Sequence, residues 1–149
     1  PASAAELDAL CARHRGTVAS AAAAEGGALS FFEAFTALAL RHFADERVDV
    51  AILEAGLGGV RDATNVAPPD GAGLAASVLT PVHLEHADAL GGTLESIARA
   101  KAGVARPGVP LVVAPQPYPE VMEVVADEAA RAGAPLVRVA EVASWGAAA

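Results

Sequence analysis

The sequence predicts an α/β fold with a mainly parallel sheet flanked by helices, and three observations carry that reading. Short aliphatic runs recur at 48–53, 75–82, 109–114 and 136–139. Capped helical patterns lie between most of them. The connections are long enough for parallel crossovers, which need about a dozen residues or more, and alternating strands and helices build a parallel sheet. The chain has 149 residues, enough for one domain with its own core. It is 54% hydrophobic but only 4% aromatic, so that core must be built from Ala, Val and Leu.

Residues 5–25 are alanine-rich, with Leu7, Leu10 and Cys11 at helical spacing. They read as one or two weakly amphipathic helices, broken near Gly16 and ended by Gly26-Gly27. His14, between two arginines, reads as solvated. Ser30 and Glu33 form a capping-box pattern, in which each side chain satisfies the other residue's backbone N–H. Phe32, Phe35, Leu38, Ala39 and His42 follow on one helical face, and the helix ends near Ala44-Asp45. Phe32 by its position reads as core.

Val48, Val50, Ile52 and Leu53 give a nearly continuous apolar run, as expected of a strand covered on both faces. Glu54 stands at its end, before a loop carrying Gly56, Gly58 and Gly59. Either this is a plain flexible loop, or the glycines let backbone approach a ligand while Glu54 holds a cation at a strand's carboxyl end. Residues 56–73 carry no helical period. The strand at 75–82 runs into Thr80-Pro81-Val82-His83-Leu84-Glu85-His86. His83 and His86 could share a helical face and chelate zinc, although a structural zinc site wants four ligands; the other reading is two surface residues. Thr93 caps a helix that ends at Gly103, with Pro107 beyond. On its apolar face, Lys101 follows Leu94, Ile97 and Ala98. Lys101 is either a snorkelling residue suited to the helix dipole or a partly buried amine able to act chemically. After the strand at 109–114, Pro119 fits a first helical turn. Val121, Met122, Val125 and Ala129 line one face through Ala132. Gly133 caps that helix, Pro135 prevents its continuation, and a strand follows at 136–139. Ser144-Trp145-Gly146 and the last alanines show no clear element.

Ten basic residues against 18 acidic ones give a net charge of −8, which argues against a nucleic-acid groove and against an anionic membrane surface. Cys11 is alone, so no internal disulfide or cysteine metal cluster can form. No apolar run spans a bilayer and no signal peptide is visible. The chain begins with Pro1 rather than Met, so its natural amino terminus is expected upstream.

Five blocks carry a family resemblance: Leu29-Ser30-Phe31-Phe32-Glu33, Leu53-Glu54-Ala55-Gly56-Leu57-Gly58-Gly59, Asp62-Ala63-Thr64-Asn65, Glu85-His86 and residues 96–103 around Lys101. In order and spacing they resemble dihydrofolate synthase and folylpolyglutamate synthase, ATP-dependent amide ligases of the Mur ligase superfamily. Glu85-His86, the strand around Val78 and the segment 90–96 look most like the plant-type dihydrofolate synthases. A cytoplasmic or mitochondrial location would follow from that branch.

The resemblance implies a reaction in which ATP phosphorylates a dihydropteroate or folate carboxylate and the amine of L-glutamate displaces phosphate from the acyl phosphate. It makes Glu54 and His86 magnesium ligands. It makes Lys101 a lysine carbamylated by carbon dioxide into a further anionic ligand. It sets Ser30 and Phe32 beside the pterin ring and gives Asp62 and Ala63 hydrogen bonds to it. Some family features are not found: no Gly-Thr-Asn-Gly-Lys-Gly type phosphate loop occurs in the chain, and Val60 precedes Arg61 where the bacterial loop has Arg directly after its glycines. Residues 1–149 are therefore expected to be part of the central ATP-binding domain, without the phosphate-loop segment or the carboxyl-terminal domain, and inactive alone. Two other classes compete: a truncated, non-catalytic α/β domain that packs or oligomerises, and a dinucleotide-binding oxidoreductase, suggested by Gly56-Leu57-Gly58-Gly59 but lacking the Gly-x-Gly-x-x-Gly form.

Overall fold

The computed structural model describes residues 2–27 and 29–139, so the reading of Ser144-Trp145-Gly146 falls outside the described residues. The chain divides after Glu54 into two compact units.

The first unit holds two helices, α1 (Ala4–Ala24) and α2 (Phe31–Asp45). Each begins with a complete capping box. Ser3 pairs with Glu6 in α1 and Ser30 with Glu33 in α2, where Glu33 N donates to Ser30 Oγ at 3.2 Å and Ser30 N to Glu33 Oε2 at 2.7 Å. α1 runs unbroken through Gly16, contrary to the expected break. One exposed glycine costs a helix only ~1 kcal/mol, too little to interrupt 21 residues of mostly strong helix formers. Gly26 and Gly27, at φ 64° and 82°, then turn the chain out of helix. Asp45 joins the two helices, accepting from Arg13 at 3.2 Å and from Arg41.

The apolar run at 48–53 is not a strand, and this corrects the sequence reading. Val50 is 75% exposed and Ile52 90%. A strand exists only through the ladder it shares with a neighbour, and among the described residues none pairs with this one. Glu54 accordingly ends an exposed irregular segment rather than a buried strand.

The second unit contains the sheet. β1 (Ser77–Leu79), β2 (Leu111–Val113) and β3 (Leu136–Arg138) lie in the order β1-β2-β3 with every pair parallel. Ser77 is in register with Leu111, and Leu111 with Leu136. The crossovers hold α4 (Leu94–Ala102) and α5 (Pro119–Ala132), which pack on each other; a single turn, α3 (Ala87–Leu90), precedes α4. Thr93 caps α4 through Ser96, Pro119 sits in the first turn of α5, and Gly133 at φ 68° ends α5, each as its residue type predicts.

Leu79, Leu111 and Val113 of the strands meet Ile97, Ala98 and Ala102 of α4 and Val121, Val125 and Ala129 of α5 in one core. Val82, just past β1, completes it with no exposed surface. The core is aliphatic, as the composition requires. Val78 points the other way and is 65% exposed. Replacing Ile97, which is wholly buried, by Ala should cost ~2–5 kcal/mol in denaturant unfolding, since transfer and cavity terms add. Val78→Thr should change stability by less than about 0.5 kcal/mol. Similar effects for the two would show that this core is misplaced.

Candidate functional site

The glycine loop is shaped by one carboxylate. Asp62 Oδ2 accepts from the backbone N–H of Gly56 at 2.9 Å and of Leu57 at 2.8 Å. Its Oδ1 accepts from Thr64 N at 2.9 Å and Thr64 Oγ1 at 2.6 Å. Burial alone would push the Asp62 carboxyl up. The Thr64 hydroxyl and the amides of Leu57, Thr64 and Gly56 outweigh that and hold it below the usual carboxylate range. Ala63 sits inside the turn that these bonds close, half-buried.

The loop is seated on the carboxyl end of α4, where backbone carbonyls lack partners within the helix. Val60 N donates to Ala100 O at 3.1 Å. A Cβ on Gly59 would lie 2.8 Å from Lys101 O and 2.9 Å from Ala100 O, so only glycine lets the loop come this close. Gly103 returns the constraint: a Cβ there would fall 2.0 Å from Val60 Cγ2. For Gly59 the sequence left two readings, a plain flexible loop or close backbone approach to a ligand. At Gly59 the partner is instead a helix end.

Lys101 emerges from the helix turn that receives the loop. Its side chain is 20% exposed, and Nζ donates to Glu85 Oε1 at 3.1 Å. The hydrogen bond and charge of Lys101 hold the Glu85 carboxyl below its ordinary range. Lys101 is thus a partly buried amine held in an ion pair. His86 follows Glu85 directly and is exposed, with φ 53° at the start of α3. Left-handed backbone at a non-glycine residue costs about 1–3 kcal/mol and gathers at functional sites. His83 and His86 do not share a helix, because only His86 borders α3, while the His83 ring stands edge-on to Tyr118 at 6.2 Å. No group of three or more His, Cys, Asp or Glu side chains is gathered for a metal among the described residues, so the zinc reading has no support.

The remaining expected site residues belong to the first unit. Ser30 Oγ is engaged in the α2 cap. Phe32 is 39% exposed rather than buried in a core. The Glu54 side chain is exposed. An open groove of about 500 Å³ lies beside α4, lined by Val60, Thr93, Glu95, Ser96, Arg99 and Ala100. It contains none of the expected site residues, and Glu95 and Arg99 pair within it at 3.0 Å.

Two polar residues that sequence reasoning missed hold the segments around the site. Gln116 Oε1 accepts from Val82 N at 2.8 Å, and its Nε2 donates to Ala114 O at 2.9 Å and Thr80 O at 3.3 Å. It fastens the exit of β1, which leads to Glu85 and His86, to the exit of β2. The signal was a lone amide between Pro115 and Pro117 directly after a strand, where few other groups could satisfy the strand-end backbone. Arg106 is the second, half-buried in the turn after α4, where Pro107 already marked a helix stop.

No protein-family model matches the chain. Over 126 residues it is 44% identical to the dihydrofolate synthase/folylpolyglutamate synthase of Mycobacterium tuberculosis, an alignment covering 79% of this chain and 24% of that protein. Over 93 residues it is 52% identical to a probable bifunctional folylpolyglutamate synthase/dihydropteroate synthase of Halobacterium salinarum, covering 62% of this chain and 11% of that protein. A solved folylpolyglutamate synthase structure in complex with AMPPCP and folate superposes with a TM-score of 0.78 at 36% identity, covering 90% of this chain and 32% of that one. The chain therefore spans about a quarter or less of the length of these two curated relatives. Sequence and fold agree over most of its residues, and the chain is homologous to a segment of the dihydrofolate synthase/folylpolyglutamate synthases.

Proposed function

We propose that this segment supplies the metal-facing and pterin-facing part of a ligase that joins L-glutamate to a dihydropteroate or folate carboxylate at the expense of ATP. The observation that carries the reading is the pairing of Glu85 with half-buried Lys101, one residue from left-handed His86. It brings two blocks of the family pattern together, Glu85 from the segment after β1 and Lys101 from the last turn of α4. The AMPPCP and folate held by the structurally similar synthase supply the substrate classes. The plant-type branch rests on Glu85-His86, the strand around Val78 and the segment 90–96 alone.

Ser30 and Phe32 would flank the pterin. Ala63 would meet it through the backbone, with Asp62 setting the shape of the turn, since all four bonds at its carboxylate already hold the loop. Glu54, His86 and a carbamylated Lys101 would hold magnesium, which when bound neutralises charge on phosphoryl oxygens. The donor set fits only with the carbamate, because magnesium prefers oxygen and an ammonium cannot ligate. The Lys101 ammonium first gives up one proton; the neutral amine then joins carbon dioxide through a new N–C bond and releases a second. Lys101 then changes from cation to anion, and Glu85, 49% exposed, is free to turn into water.

Three outcomes test this reading. In the enzyme that carries this segment, Glu54→Ala and His86→Ala should each lower turnover by about a hundredfold or more, read as glutamate-dependent ADP release. Near-normal rates in both would remove the metal assignment. In ¹³C-bicarbonate, the wild-type protein should show a carbamate carbon resonance that Lys101→Arg abolishes; an unchanged spectrum would contradict the modification. Asp62→Asn turns an amide N–H₂ toward backbone donors and should cost about 1–3 kcal/mol at pH 7. The folded carboxyl titrates below its unfolded value, so its contribution is present above the unfolded value, near about pH 4, and is lost as pH falls through the folded one. The stability gap between wild type and Asp62→Asn should therefore narrow on acidification below about pH 4. A gap that widens there would contradict the role of the ionised carboxylate.

A further inference from the structure

We propose that Arg106 is a positioning residue that locks the glycine loop onto the end of α4 and so fixes Asp62 and Ala63 relative to Lys101. Its Nη2 donates to Asn65 Oδ1 at 2.6 Å. Its Nη1 donates to Gly103 O at 3.2 Å and Ala105 O at 3.0 Å. Asn65 in turn donates from Nδ2 to Val60 O at 3.2 Å, and Val60 N donates to Ala100 O. These bonds form a closed circuit. It leaves α4 at Ala100, crosses the loop through Val60 and Asn65, and returns through Arg106 to Gly103. Asp62 and Ala63 lie on the loop arm of the circuit, and Lys101 lies on its helix arm.

Arginine suits this task because one planar fork reaches backbone carbonyls with one arm and a side-chain amide with the other. Lysine has a single donor head that cannot span both. The Nε–H of Arg106 is buried without a partner, so the orientation is set by the two Nη groups at the expense of the third donor. Without the latch, the loop would keep its own Asp62 bonds and the Gly59 contact but lose its far anchor. The naming of Asp62, Ala63 and Lys101 as site residues rests on the proposed function; the latch itself does not.

The test is amide hydrogen exchange on the 149-residue chain as wild type, Arg106→Ala, Arg106→Lys and Asn65→Ala, with dihydropteroate affinity measured on the same samples. The amides of Gly56, Leu57, Val60 and Thr64 report on the loop, and those of Ser77 and Leu111 on the sheet. Loop exchange should accelerate by about tenfold or more in all three variants, with sheet exchange within about twofold of wild type. Dihydropteroate binding should weaken by about tenfold in Arg106→Lys, where the charge remains but the fork is lost. Unchanged loop exchange, or equal acceleration of loop and sheet, would overturn the assignment. Should Arg106→Ala fail to fold, Asn65→Ala removes the other half of the bond and decides by the same comparison. A wild-type chain that binds no dihydropteroate, with loop exchange responding as described, would count against the ligase reading and leave the latch standing.

Discussion

The seating of a glycine loop on the bare carbonyl end of a helix is the constraint on which this site depends. Helix α4 ends with carbonyls that need donors, and the loop supplies one through Val60. That approach is possible only because Gly59 and Gly103 leave no side chain between the two backbones. Asp62 makes the loop worth seating by drawing Gly56, Leu57 and Thr64 around one carboxylate. A negative charge at a ring of N–H donors is stabilised in its ionised form, so the same bonds that shape the loop also fix its protonation state.

Much of the second unit could be read from the sequence because its signals are local. Thr93, Gly103, Pro119 and Gly133 each act through the backbone of their own turn, and α4 and α5 begin and end where those residues put them. The three observed strands fall inside predicted runs but are shorter, since only residues with ladder partners count as strand. The run at 48–53 shows the opposite case. Its composition is that of a buried strand, yet burial and pairing are properties of neighbours, and Val50 and Ile52 are exposed. Gly16 failed as a break signal because a glycine deep in a long alanine-rich helix is a modest cost rather than a stop.

The site was legible in residue identity and less so in role. Lys101 stood out as a charge on an apolar face, and it is indeed half-buried, but nothing in its spacing showed that Glu85, sixteen residues earlier, would hold its amine. Asp62 was found through resemblance to a family. Its bonds to the loop depend on a turn that the local pattern did not specify. Gln116 and Arg106 were passed over because a single polar residue in a turn ordinarily needs no explanation, and only the long-range partners Val82 and Asn65 reveal what each does.

For the proposed function, the consequence is that the turn around Asp62 and the lysine-bearing helix are held in direct backbone contact. The most direct measurement is a nuclear Overhauser contact between the Val60 methyl protons and the Gly103 α-protons in solution. The structure has Val60 Cγ2 occupying the space that a Gly103 Cβ would take, so that contact should be strong. Its absence, with the signals of the α4 and α5 core intact, would show that the loop is not seated on α4 and would contradict the account.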